Sequence, residues 1–178
     1  VIDATDLPIK YQGDPSLGAW FGDEDLKDAV VARMRHHRRL DQILQGVYQT
    51  ADPGKGNGEY KGCLVGCTLP LIAPEVHTAV EDWVFEHGRA ELGTGSVVAA
   101  WHVLGELHYG IPWYVFDILD TAFEDSFSED APDFAVEALE AIPVGARYED
   151  RDELADAYYD RGREALLAWL RYESRPGV

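Results

Sequence analysis

The chain is predicted to fold as a mainly helical single domain, an irregular bundle of five to six helices. Three observations carry this. Apolar residues recur at helical spacing in six separate segments, each segment is bounded by helix-capping or helix-breaking residues, and no run shows sustained two-residue alternation. At 178 residues, with 46% hydrophobic and 27% charged residues, the chain suits one globular domain and is too short for two ordinary ones.

Residues 1–22 carry Pro8, Gly13, Pro15 and Gly18 and read as an irregular lead-in, with Tyr11, Trp20 and Phe21 available to pack on the body. Residues 23–178 form the helical domain proper. Asp23 is the expected N-cap of a long helix reaching Gln45, with acids in its first turn and Gly46 just past its end. Its Leu26, Val30, Met34 and Leu44 define an inward stripe. Periodicity then breaks around Asp52-Pro53-Gly54-Lys55-Gly56-Asn57-Gly58, a turn signal flanked by short apolar runs that could pair as a small hairpin. Helical patterns resume over Glu75 to Glu86 and Ser96 to Tyr109. Pro112 suits the first turn of a helix reaching Ser126, because the N–H it lacks would have no helical partner there. Asp130 to Ile142 and Arg151 to Tyr172 complete the set.

The net charge is −18, from 33 acids against 15 bases. Such a chain repels nucleic-acid backbones and anionic membranes, so direct binding to either is not expected. Nine acids and no base lie between Pro112 and Ala146. Two cysteines and no basic, apolar leader point to the cytoplasm and away from a disulfide framework. No stretch approaches the roughly 20 apolar residues that span a bilayer.

Three groups of residues could carry chemistry. In Lys61-Gly62-Cys63-Leu64-Val65-Gly66-Cys67-Thr68 each cysteine follows a glycine. A helix start at Cys67 would favour its thiolate as a nucleophile. Equally, the two cysteines could be small apolar groups in a tight bend. In the first long helix His37 and Asp41 stand four residues apart along the inward row, where a histidine could act as base with the carboxylate orienting it. His102 and Glu106 repeat that spacing on a helix that is apolar almost all round, and Asp117, Asp120 and Glu124 line one side of the next. The catalytic candidates are therefore Cys63, Cys67, His37 and Asp41. His102, Glu106, Asp120 and Glu124 are candidate ligands for one divalent metal ion, zinc, iron or manganese. Structural polar networks and a solvated acidic face are the plain alternatives.

Several segments resemble an uncharacterised bacterial protein family. They are Met34-Arg35-His36-His37-Arg38-Arg39-Leu40-Asp41, the Gly62-Cys63-Leu64-Val65-Gly66-Cys67-Thr68 element, Gly110-Ile111-Pro112, Leu119-Asp120-Thr121-Ala122-Phe123-Glu124, and Ala141-Ile142-Pro143-Val144-Gly145-Ala146. The resemblance implies a Gly-Cys-x-x-Gly-Cys-Thr element and a His-x-x-x-Glu element ahead of Gly-Ile-Pro, here Cys63, Cys67, His102 and Glu106. Where such relatives carry a histidine after Cys-Thr, this chain has Leu69-Pro70. The resemblance implies no activity.

Two functions remain. One is a small intracellular enzyme with a Cys/His/carboxylate site, working by thiol-based or metal-assisted chemistry on a small-molecule substrate. The other is a non-enzymatic polyanion mimic whose acidic face blocks a basic, nucleic-acid-binding protein. Self-association is compatible with both.

Overall fold

The computed structural model describes residues 9–51, 59–88 and 96–172. Among them are eight α-helices: α1 (Glu24–Arg39), α2 (Leu64–Thr68), α3 (Pro74–Trp83), α4 (Ser96–Tyr109), α5 (Trp113–Glu124), α6 (Ala131–Ala141), α7 (Arg151–Arg161) and α8 (Arg163–Tyr172). The mainly helical bundle is as expected, with more helices than the pattern suggested. Strand structure among the described residues is limited to an antiparallel pairing of β1 (Thr50–Ala51) with β2 (Tyr60–Lys61) and one bridge between Ile43 and Gly62. Most of the turn signal between the strands, Asp52 to Gly58, lies outside the described residues. No described helix is long and apolar enough to cross a membrane.

The caps explain several boundaries. Asp23 accepts hydrogen bonds from the Asp25 and Leu26 amides at the start of α1, and Asp150 accepts from Glu153 at the start of α7. Each such cap is worth about 1 kcal/mol. The α1 helix ends six residues before the expected Gln45. The His37 carbonyl accepts the Gln42 N–H at 2.9 Å, and Asp41 adopts the left-handed conformation at φ 52°. Aspartate tolerates that region better than most residues because its short side chain bonds locally. The expected helix Arg151 to Tyr172 is broken by Gly162 at φ 90°, a conformation costly for any residue with a Cβ.

The described part of the lead-in packs on the body through a 3₁₀ turn, Pro15–Leu17, and a turn over Ala19–Gly22 in which Trp20 and Phe21 take the left-handed conformation at φ 60° and 51°. Trp20 is fully buried and donates its indole N–H to the Ile142 carbonyl at 2.9 Å. Helices α4 and α5 form an antiparallel hairpin around Gly110, with α3 packed on α4 and α7 on α5. Helix α1 packs on α6, and α8 packs on α6 and α7.

All five residues of α2 are buried, and this turn touches α1, α4, α5 and β2. Tyr48 runs directly across it. A Cβ on Gly66 would lie 1.4 Å from the Tyr48 carbonyl oxygen, and one on Gly62 would lie 2.2 Å from it. Both contacts are with backbone, so no side-chain rotation relieves them.

Gly66→Ala is therefore expected to destabilise the fold by at least the roughly 1–3 kcal/mol of an overpacked core. At about 2–4 °C per kcal/mol for a chain of this size, thermal unfolding resolves that loss. Thr78→Ala, at an exposed position of α3, serves as the control and should stay within about 0.5 kcal/mol of the parent.

Candidate functional site

The α4–α5 hairpin brings His102 against two carboxylates. His102 Nδ1 lies 3.5 Å from Asp117 Oδ1, and Nε2 lies 3.5 Å from Asp120 Oδ2. Asp117 and Asp120 are three residues apart and share the face of α5 turned toward α4. His102 is 1% exposed, and neither ring nitrogen makes a hydrogen bond. Asp120 receives one from the Tyr48 hydroxyl at 3.1 Å, while its Oδ1 is buried without a partner. Tyr48 is held in turn by stacking on Trp101, with ring centroids 5.3 Å apart and planes 3° from parallel.

Burial raises the Asp117 carboxyl above the usual range, and Asp120 adds to the rise, while His102 and Arg151 oppose it. Burial, then the charge and hydrogen bond of Asp120, push the Tyr48 hydroxyl far up, so it is held as a donor. The Arg151 guanidinium sits over the Trp113 ring, 4.7 Å from its centroid.

Glu106, one turn beyond His102, belongs to a different arrangement. Its two oxygens accept from the Trp113 amide and the Tyr11 hydroxyl, both at 2.9 Å. It thus satisfies an amide at the start of α5 and ties down the lead-in. Burial raises its carboxyl, and the two hydrogen bonds oppose the rise. Glu124 grips the Gly46 amide with both oxygens at 3.0 and 3.1 Å. Of the four expected metal ligands, only His102 and Asp120 are neighbours. No group of three or more histidine, cysteine or acidic side chains suited to a metal ion forms among the described residues.

The expected pairing of His37 with Asp41 does not form. The early end of α1 turns Asp41 out, leaving its side chain 91% exposed and 3.6 Å from Arg38. His37 is buried against Tyr60, with ring centroids 4.7 Å apart, and its Nδ1 has no partner. Burial, aided by the charges of His36 and Arg33 and opposed by Glu59, lowers its pKa to about 4.

Both cysteines are free and buried. Helix α2 begins after Cys63, not at Cys67. The Cys63 sulfur caps the turn by accepting the Gly66 amide at 3.5 Å. Burial and the nearby Asp120 raise its thiol well above the ordinary value. The Cys67 thiol points at the Gly62 and Gln42 carbonyls, 3.3 and 3.5 Å away, and burial pushes it up to about 12. Neither group is an activated thiolate.

Sequence reasoning placed Asp117 in the acidic stripe without assigning it to a site, and it missed Tyr48. The i, i+3 spacing of Asp117 and Asp120 toward a histidine helix was a usable signal. Tyr48 had none, because its place depends on how the loop crosses α2. Compared with protein-family models, curated proteins and solved structures, the chain matches none.

The His37 shift sets a direction for acid stability. Between pH 6.5 and 4 the unfolded chain binds a proton at His37 that the folded chain does not, so this group's contribution is present above pH 6.5 and lost on acidification. A shift from 6.5 to about 4 is worth at most about 3 kcal/mol. Glu106, Asp117 and Glu124, all raised, act with opposite sign, losing stability as pH rises through their folded values. They are common to parent and variant. Urea unfolding at several pH values is expected to show a shallower acid-side loss for His37→Phe than for the parent. Identical slopes would exclude His37 as the source.

Proposed function

We propose that the protein is an enzyme in which Asp117 exchanges a proton with a substrate, and the His102 imidazole behind it, held by Asp120 and Tyr48, supplies and takes up that proton. One observation carries the reading: a histidine almost wholly removed from water faces a carboxylate at each nitrogen and is hydrogen-bonded to neither. A buried structural network normally closes its hydrogen bonds, since each unmade one costs about 1–3 kcal/mol. Glu106, one turn away, does close them. His37 Nδ1 is likewise left without a partner, so what sets His102 apart is the carboxylate facing each of its nitrogens.

The roles follow from exposure and partners. Asp120 has an 11% exposed side chain and is anchored by Tyr48, so it orients the ring from the Nε2 side. Asp117 has a 20% exposed side chain and forms the more open end, on the Nδ1 side. Its carboxyl, raised by burial, lies nearer the range in which acid–base exchange at neutral pH is efficient. The supported reaction class is general acid–base chemistry on a small molecule. Nucleophilic attack by Cys63 or Cys67 has less support, because both thiols are buried and held protonated.

The polyanion-mimic reading is weakened by where the acids go. Glu140 and Asp133 of α6 pair with Arg35 and Arg38 of α1, Asp125 accepts from the Tyr158 hydroxyl, and Asp117 and Asp120 face inward. Much of the acidic segment is used within the chain.

The reading is tested with a panel of chromogenic esters, amides and phosphoesters. Turnover of at least one is expected, falling by about 10²–10⁴-fold in His102→Gln and surviving in Cys63→Ser. Because the imidazole nitrogens make no hydrogen bonds, His102→Gln should keep most of the parent's stability in thermal unfolding. Turnover that depends on Cys63 and not on His102 would replace this reading with thiol chemistry. A large stability loss without any His102-dependent turnover would make the histidine structural.

A further inference from the structure

Beside Trp101, which stacks on Tyr48, lies an open groove of about 600 Å³. Its walls include Thr50 of β1, Leu71 and Pro74 from the segment entering α3, His77 and Thr78 of α3, and Trp101 of α4. The volume falls within the roughly 300–1,000 Å³ of sites that take small molecules. Its lining is what sets it apart. Three other surface grooves are each lined by charged side chains, Glu153, Asp156 and Arg161 in one and Arg35, Arg38 and Asp133 in another, with Asp130, Glu137 and Arg163 among those of the third. Among the described residues, the groove beside Trp101 has no Asp, Glu, Lys or Arg in its lining, in a chain with 33 acids and 15 bases.

The polar groups available there are few, and the His77 ring among them has its Nδ1 3.6 Å from Glu81. Gln49 also lines the groove, but its side chain is committed to the protein. It donates to the Gly66 and Pro70 carbonyls and accepts from the Ile72 amide. That leaves the Thr50 and Thr78 hydroxyls and the His77 ring, whose Nε2 is buried without a partner and which packs 4.8 Å from Trp101.

We propose that this groove binds an uncharged, mainly apolar small molecule carrying one or two hydrogen-bonding groups. A carboxylate, phosphate or nucleotide would find no lysine or arginine among the described lining residues to offset the loss of its hydration, and would approach a protein of net charge −18. A neutral amide or alcohol on an apolar body finds Leu71, Pro74 and Trp101 for the body and two hydroxyls for the head group. The site is separate from the acid–base reading and stands without it. The two are connected only through Trp101, which stacks on the tyrosine that holds Asp120.

The test is an NMR titration of ¹⁵N-labelled protein with 2-naphthamide and 2-naphthoate, which match in size and differ in charge. The amide is expected to give saturable shifts at the Trp101 indole, Thr50 and Thr78, and to bind at least about tenfold more tightly than the carboxylate. Thr78→Trp fills the groove from an exposed position and should abolish those shifts. Leu71→Glu, at a position 51% exposed, adds a charge to the wall and should weaken the amide. Equal binding of amide and carboxylate would overturn the proposal, as would amide shifts unchanged in both variants. His102→Gln separates the two readings, since it should leave amide binding intact whether or not it removes turnover.

Discussion

Burying an entire helical turn places its backbone carbonyls where water cannot reach them, and each one left unpaired costs free energy comparable to a lost hydrogen bond. Helix α2 imposes that constraint at the centre of this molecule, and the chain meets it with partners drawn from distant elements. The Gly66 carbonyl accepts from Gln49, and the Thr68 carbonyl accepts from Arg33 of α1 and Tyr109 of α4. The Leu69 carbonyl, just past the turn, accepts from Tyr60 of β2. The carbonyl of Leu64 is taken by the Thr68 hydroxyl at 2.7 Å. Apart from Thr68, which lies within α2, each partner ties a separate segment to one short turn, so α1, α4 and the loop after α1 are held in place by hydrogen bonds that the interior cannot leave unmade.

The same constraint accounts for the cysteines and for the site. A turn of this kind needs small residues where the chain crosses it. Gly62 and Gly66 admit the Tyr48 backbone at a distance no Cβ would allow. Cys63 and Cys67 cap and back the turn as protonated thiols. With its main chain laid across α2 and its ring stacked on Trp101, Tyr48 can reach Asp120, and the hairpin of α4 and α5 brings His102 to the same carboxylate. The Gly-flanked cysteines thus mark an organising turn, and the polar cluster forms where Tyr48 emerges from it.

How much of this was legible depends on how local the information is. Helix α4, Ser96 to Tyr109, could be read directly, because apolar periodicity and a terminal glycine are local signals. The cap at Asp23 was equally plain. The end of α1 was not: Leu44 continued the apolar row, but the chain leaves the helix at Arg39 and Leu44 enters a loop, where its amide bonds the Gly62 carbonyl. Leu44 is exposed there and Ile43 buried in its place, a switch that a periodic apolar row cannot reveal. The polar pairs show the same limit. A spacing of four residues correctly placed His102 and Glu106 on one helix face, yet it could not show that Glu106 would be taken by the Trp113 amide and Tyr11. Those partners are 7 and 95 residues away and are set by tertiary packing.

The fate of the charge follows from the same packing. Several of the acids between Pro112 and Ala146 are distributed among three uses: pairing with arginines of α1, gripping backbone or hydroxyl groups, and facing His102. Only the last brings carboxylates together in the interior, where like charges repel strongly and desolvation penalises both. Asp120 is buried and Asp117 half-buried, and both are turned toward the same ring. The imidazole of His102 lies between them, 3.5 Å from each. Because His102 is closed to water, the proposed exchange with a substrate would run through Asp117, the group with the most open side chain of the three.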